Sequence, residues 1–255
     1  MKIYKAYAKV NTFLKVTGLR GDYHEIISRF MRVDTLYDEL SFLKKNTDEF
    51  KIIGDFSCQT EQNTIYKAYV ALLEYTKNES LEKLMQTYAV KVDKHIPAFA
   101  GLGGGSSDAA TYLKMCNEVL HLNLSIKELA EIGLTVGADV PFFIYGYDSA
   151  NVSGIGEIVE KFDEPLLSFD VYTPKVEIST PKVYKSYRLN FFDPIDESEV
   201  QRLKNTTSLH VLNSSTPEEA NDLFSPALKE YPKLKQYQKE GYYFSGSGSS
   251  FFKVI

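Results

Sequence analysis

The sequence predicts a two-domain α+β protein, and three observations carry that reading. Strand-like apolar patterns fill residues 2–17, 26–42 and 48–54 near the N-terminus. Helical spacing then appears at about 63–77 and on both sides of residue 120. Between those helices, four glycines crowd into GLGGG at 101–105, flanked by a strand and a helix start. The 255 residues suffice for two domains of ordinary size. A division at 146/147 gives an N-terminal domain over 1–146 and a C-terminal α/β domain over 147–255.

Taken in order, YAVKVDKHI (88–96) alternates around Val90 and Val92 and reads as a strand. After the glycines, Ala109, Leu113, Cys116 and Leu120 recur at helical spacing. Ser106 or Ser107 suits the N-cap of that helix, with Asp108 in its first turn, where the dipole favours negative charge. A second helix opens on the capping-box pattern Ser125…Glu128, continues through Leu129, Ile132 and Val136, and stops at Gly137. Asp139 follows, then Val140-Pro141 and the apolar run FFIY, which places Asp139 at a helix-to-strand junction. Beyond 147 come STPKVYKSY, a helical region in PEEANDLFSPALKEYPKLKQYQKE, and a closing hairpin in YYFSGSGSSFFKV. His95 and His121 show no partner pattern and read as structural.

Composition narrows the function. With 44% apolar and 25% charged residues the chain builds a packed soluble core. The net charge of −5 has no basic stripe, which argues against a nucleic-acid surface, and Lys44-Lys45 reads as a solvated loop. Cys58 and Cys116 are far apart, so neither a disulfide scaffold nor a zinc site is expected, and a reducing cytoplasm fits. No apolar run reaches the roughly 18 residues of a membrane span. Lysines stand where a leader needs its apolar stretch. The expectation is a cytoplasmic protein with a small-molecule partner, no nucleic acid, no membrane and no obligate protein partner.

A glycine loop that feeds a helix aims free N–H groups outward and makes an anion site. It is not a nucleotide P-loop, because no Gly-Lys pair occurs, and it is not GxGxxG, because Ser106 stands at the sixth position of the pattern that starts at Gly101. Nor does any HRD or DFG triplet appear. Instead, PAFAGLGGGSSDAA (97–110) resembles the second signature of the GHMP kinases. AYAKVNTFLKVTGLRGDYHEI (6–26) resembles their first, and YYFSGSGSSFFKV (242–254) their third, in the same order. Alone, SGSGSS would read as a hairpin turn.

The resemblance implies an N-terminal domain of the ribosomal protein S5 domain 2-like fold, a C-terminal GHMP domain, and a site in the cleft between them. It implies ATP and Mg2+ as cofactors, with metal ligands unassigned. The nucleotide phosphates would lie along Pro97, Ala98, Phe99, Ala100, Gly101, Leu102, Gly103, Gly104, Gly105, Ser106 and Ser107. For Asp139, the residues alone leave a turn or cap and a catalytic base equally open. For Lys9, an edge-facing lysine is the ordinary reading. The resemblance makes Asp139 the general base and Lys9 its partner. AKVN with its Tyr-His pair, GADVPFF and STPKVY are closest to the branch that phosphorylates the 2-hydroxyl of a diphosphocytidyl methylerythritol in the non-mevalonate isoprenoid route. It implies substrate contacts from Asn11, Tyr23, His24, Thr180 and Tyr184, the two tyrosines sandwiching the cytosine and His24 hydrogen-bonding its edge. Two departures stand out. The chain ends just after the third signature, where a trimmed C-terminal domain is expected, and Phe99 replaces a commonly small residue, which narrows the nucleotide entrance. The rivals are a GHMP kinase for a smaller acceptor, which would not need the Tyr23/His24/Tyr184 set, and a binding protein, which would lose Lys9 and Asp139.

Overall fold

The computed structural model describes residues 2–255. Its contacts define two compact units. The first takes the chain up to Ala8, Asp34–Ala98 and Gly103–Gly146; the second takes Lys9–Val33, Phe99–Leu102 and Tyr147–Ile255. Position 147 is thus where the second unit resumes, after the chain has already visited it twice.

Two long strands, β1 (Tyr4–Arg20) and β2 (Tyr23–Lys44), pair with each other and divide between the units. Gly21, at φ +61°, supplies the left-handed turn between them. The first unit continues with β3 (Ile52–Ile53), α1 (Thr64–Thr76), α2 (Glu79–Thr87), β4 (Tyr88–Asp93), α3 (Gly104–Val119), α4 (Ile126–Val136) and α5 (Val140–Tyr145). Strand β4 pairs antiparallel with the end of β2, Val90 opposite Phe42 and Val92 opposite Leu40, and parallel with β3. The helices bury Ile65, Ala68 and Leu72 of α1, Ala109 and Leu113 of α3, and Leu129 and Ile132 of α4. Asn63 caps α1, and Ser125 and Glu128 form the expected capping box at α4.

Several expectations need correction. The strand expected at 48–54 shrinks to two residues. Strand 88–96 stops at Asp93, because the N–H groups of His95 and Ile96 turn to the Asp38 carboxylate, at 2.5 and 2.8 Å. FFIY belongs to helix α5 instead of a strand, so Asp139 joins two helices. A short apolar run fits either state, and here Pro141 in the first turn and Gly146 at φ +68° bound a helix. Neither Ser106 nor Ser107 caps α3; the cap is Gly103, at φ +72°, and Ser107 and Asp108 are buried within the helix. Helix α2 was not anticipated, since ESLEKLMQT is mostly polar and buries only Leu81 and Met85.

The second unit adds β5 (Ser149–Gly154), β6 (Ile158–Lys161), β7 (Phe169–Tyr172), α6 (Thr180–Asn190), α7 (Glu197–Asn205), α8 (Ser208–Ser214), α9 (Pro217–Ala220), α10 (Phe224–Glu230), β8 (Tyr243–Phe244) and β9 (Phe251–Val254). Strand β5 pairs antiparallel with the first half of β2, Ala150 opposite Phe30, and with β6. Strands β7, β9 and β8 form a separate antiparallel sheet that contains the expected hairpin. The expected helical region after 217 breaks into α9, α10 and a 3-10 turn at Pro232–Tyr237, with Pro217 and Pro232 in the first turns of their segments. Its core joins Leu14, Val16 and Ile26 to Val183, Tyr187, Leu223 and Phe224, with Phe224 stacked on Phe244 at 4.9 Å. Helix α7 and the chain beyond it are tied by Arg29, which is fully buried, pairs with Glu164 at 3.0 Å and donates to the carbonyls of Leu203, Lys204 and Thr206.

Candidate active site

The expected site residues fall in both units. In the second, α6 presents Thr180, Tyr184 and Arg188 at four-residue intervals, hence on one face. They line a cavity of about 470 Å³ together with Tyr23 and His24 from the start of β2. Tyr23 is 65% exposed, while the rings of His24 and Tyr184 lie 5.0 Å apart at 40°. The His24 Nε2 is buried without a hydrogen-bond partner. Burial, and secondarily the Arg188 charge, hold the His24 imidazole below its ordinary pKa, so it is neutral at pH 7. A neutral ring with one unsatisfied nitrogen beside an aromatic face offers a flat apolar surface and one open hydrogen-bonding position. Arg188 was missed in the sequence; its four-residue offset from Tyr184 was the available signal.

Lys9 and Asn11 sit on β1, two residues apart and therefore on one face. Lys9 is 3% exposed, which excludes the edge-facing reading. Its Nζ donates to Asn11 Oδ1 at 2.6 Å and lies 4.2 Å from the Phe30 ring centroid. Asn11 Nδ2 in turn donates to Ser28 Oγ at 2.9 Å. The hairpin loop 245–250 closes over this pair. A Cβ on Gly246 would stand 3.1 Å from Asn11 Oδ1 and 3.6 Å from Lys9 Nζ, and φ there is +58°.

The same loop packs backbone on backbone against 99–102. A Cβ on Gly248 would lie 2.0 Å from Gly101 N, and one on Gly101 would lie 2.2 Å from Ser245 O. Ser250 N donates to Ala100 O at 3.1 Å, Ser245 Oγ donates to Gly101 O at 3.2 Å, and Thr180 and Ser247 share a hydroxyl bond of 2.8 Å. Gly101 is therefore glycine for packing. Phe99 opens this segment at φ +56° and is 57% exposed.

In the first unit, Pro97 and Ala98 end the β4 connection, and Gly103–Ser107 turn directly into α3. Since Gly103 has no side chain to cap with, no N-cap side chain satisfies the first N–H groups of α3. Thr64 Oγ1 donates to Gly105 O at 2.6 Å and steadies the turn. Ser106 Oγ would be 3.9 Å from a Cβ on Gly137, which sets the loop beside the Gly137–Asp139 turn. Asp139 occupies the N-cap position of α5, half-buried, but its carboxylate does not cap the helix. Lys94, Asp38 and Asp108 form a buried ion cluster under the start of α3, which sequence reasoning did not find. Among the described residues, no three His, Cys, Asp or Glu side chains are arranged to hold a metal ion, and no helix is long and apolar enough to cross a membrane.

Residues 63–147 match the GHMP kinases N terminal domain. The chain is 67% identical over 258 residues to the 4-diphosphocytidyl-2-C-methyl-D-erythritol kinase of Sulfurimonas denitrificans, spanning all of this chain and 97% of the relative. It is 44% identical to the protein of the same name from Sulfurovum sp., over 98% of this chain and 97% of that one. A crystal structure of 4-(cytidine 5'-diphospho)-2C-methyl-D-erythritol kinase superposes with a TM-score of 0.75 at 30% identity, covering 100% of this chain and 90% of the other. The glycine-capped α3, the buried Lys9–Asn11 pair and full-length identity of this order lead to one conclusion: the chain belongs to the 4-diphosphocytidyl-2-C-methyl-D-erythritol kinases of the GHMP kinase family.

Proposed function

We propose that this kinase transfers the γ-phosphoryl group of ATP to the 2-hydroxyl of 4-diphosphocytidyl-2-C-methyl-D-erythritol, in the non-mevalonate route to isoprenoid precursors. The observation that carries the acceptor reading is the unpartnered, neutral His24 Nε2 beside Tyr184 in a cavity of about 470 Å³. Cytosine offers a π face for the tyrosines Tyr23 and Tyr184 and a polar edge for His24, so it satisfies both demands at once. Thr180 and Asn11 are the further acceptor contacts.

The N–H groups of Gly104, Gly105 and Ser106 at the start of α3 receive the ATP phosphates, with Pro97–Leu102 and Ser107 completing the loop. Held through the nucleotide phosphates, with no protein ligand assigned to it, Mg2+ would neutralise phosphate charge, in keeping with its preference for substrate phosphates over all-protein cages. In the transfer, the acceptor oxygen bonds to the γ-phosphorus, the bond to the β-phosphate oxygen breaks, and ADP leaves. The hydroxyl proton passes to Asp139, whose carboxylate is not used as a helix cap. Lys9, oriented by Asn11, supplies positive charge that stabilises alkoxide character and the transferred group.

ADP release measured over a panel of acceptors tests the proposal: the diphosphocytidyl substrate, its uridine analogue, mevalonate and homoserine. Turnover confined to the diphosphocytidyl substrate is expected. Equal or faster turnover of mevalonate or homoserine would refute it.

A further inference from the structure

The phosphoryl-transfer scheme leaves unused the ion cluster beneath α3. Lys94, one residue beyond β4, places its ammonium between Asp38 of β2 and Asp108 of α3, with Asp108 Oδ2 at 2.7 Å. Asp38 is saturated: Oδ1 accepts from His95 N and Ile96 N, and Oδ2 from Lys94. Asp108 is not. It is 1% exposed, and its Oδ1 meets no donor. The cluster also touches the loop, because a Cβ on Gly104 would stand 3.6 Å from Lys94 Nζ. Asp108 follows Gly105 by three residues, roughly 4.5 Å along the helix axis.

Resting on the reading that this loop holds ATP, we propose that Asp108 is a proton-linked positioning residue: nucleotide binding at the head of α3 favours its protonated form, and takes up a proton when it is ionised. One ammonium cannot balance two carboxylates. With both ionised, the cluster carries a net negative charge just below an anion's seat; with Asp108 protonated it is neutral. A buried carboxylate oxygen without a donor is also poorly tolerated as a charge. Burial, reinforced by Asp38 and opposed by Lys94, pushes the Asp108 acid up to about 7, inside the range where such linkage is visible. Among the described residues, Lys94 and Asp38 are the charged groups that most strongly set its environment.

The sign follows. A bound anion favours the protonated acid, so nucleotide affinity is greatest below pH 7 and falls as pH rises. A rise of one pK unit in the complex makes that fall roughly six-fold between pH 6.5 and 8.5.

Calorimetric titration of the full chain with Mg2+ and a non-hydrolysable ATP analogue tests this, using two buffers of different ionisation enthalpy to count protons. Wild type is expected to lose affinity roughly six-fold across that range and to take up part of a proton near pH 7.5. Asp108→Asn keeps the shape and cannot ionise, so its pH slope and proton uptake should shrink to those of the analogue alone. The same slope and uptake in both proteins would overturn the inference. If Asp108→Asn does not fold, Lys94→Met serves: removing the ammonium should move the fall in affinity to higher pH, and an unmoved profile overturns the proposal. A wild type that binds no analogue at any pH refutes the ATP reading itself, and this inference with it.

Discussion

Replacing Gly248 by alanine attacks the contact between the closing loop and the glycine segment 99–102. The added Cβ would stand 2.0 Å from Gly101 N and 2.1 Å from the Ala100 carbonyl carbon, whereas ordinary contact begins at 3.4 Å. The two backbones must therefore part by 3.4 − 2.0 = 1.4 Å along that line. No rotamer relieves this, since both partners are main chain. Parting stretches the Ser250–Ala100 and Ser245–Gly101 bonds, now 3.1 and 3.2 Å, out of hydrogen-bonding range. Overpacking costs about 1–3 kcal/mol and each lost bond about 1 kcal/mol, so we expect a loss of about 3 kcal/mol or more. At this chain length that lowers Tm by roughly 6–12 °C. Because Phe99–Leu102 lead directly into the Gly103 cap, the KM for ATP should rise by about ten-fold, the equivalent of about 1.4 kcal/mol. Gly21→Ala is the control: φ there is +61° but nothing lies within 4 Å, so only the left-handed backbone costs, about 1 kcal/mol. Thermal unfolding and ADP-release kinetics read both. If Gly248→Ala is as mild as Gly21→Ala and leaves the KM for ATP unchanged, the packing role of these glycines is refuted.

Three further outcomes are expected. Asp139→Asn should lower turnover by roughly 10²–10⁴-fold while both substrates still bind; single-turnover rates within a few-fold of wild type would sink the base assignment. Tyr184→Ala should raise the acceptor KM about ten-fold with the KM for ATP unaltered, and equal losses for both would make the residue merely structural. Glu164→Ala strands the fully buried Arg29 charge and also removes the acceptor for Ser149 Oγ and Ser208 N. Urea unfolding should show a loss of about 3–5 kcal/mol, and one below about 1 kcal/mol would contradict the account of that pair.

What the sequence alone determined are the features settled within a turn or two of chain. The Ser125/Glu128 box at α4, the glycine loop between strand and helix, the closing hairpin and the shared face of Lys9 and Asn11 all follow from local spacing. The type of a short apolar run does not: FFIY suits strand or helix alike, and burial among α3 and α4 decided for helix. Spacing also could not tell which glycines serve an anion and which serve packing. Gly101 is spent on Gly248, a partner 147 positions away, while Gly103 caps α3. Likewise Asp38, Lys94 and Asp108 look like three unrelated surface charges until β2, β4 and α3 bring them under one helix start. Local energetics choose turns, caps and periodicity; the job of a glycine or a carboxylate depends on which distant backbone or charge reaches it, and only the tertiary structure decides that.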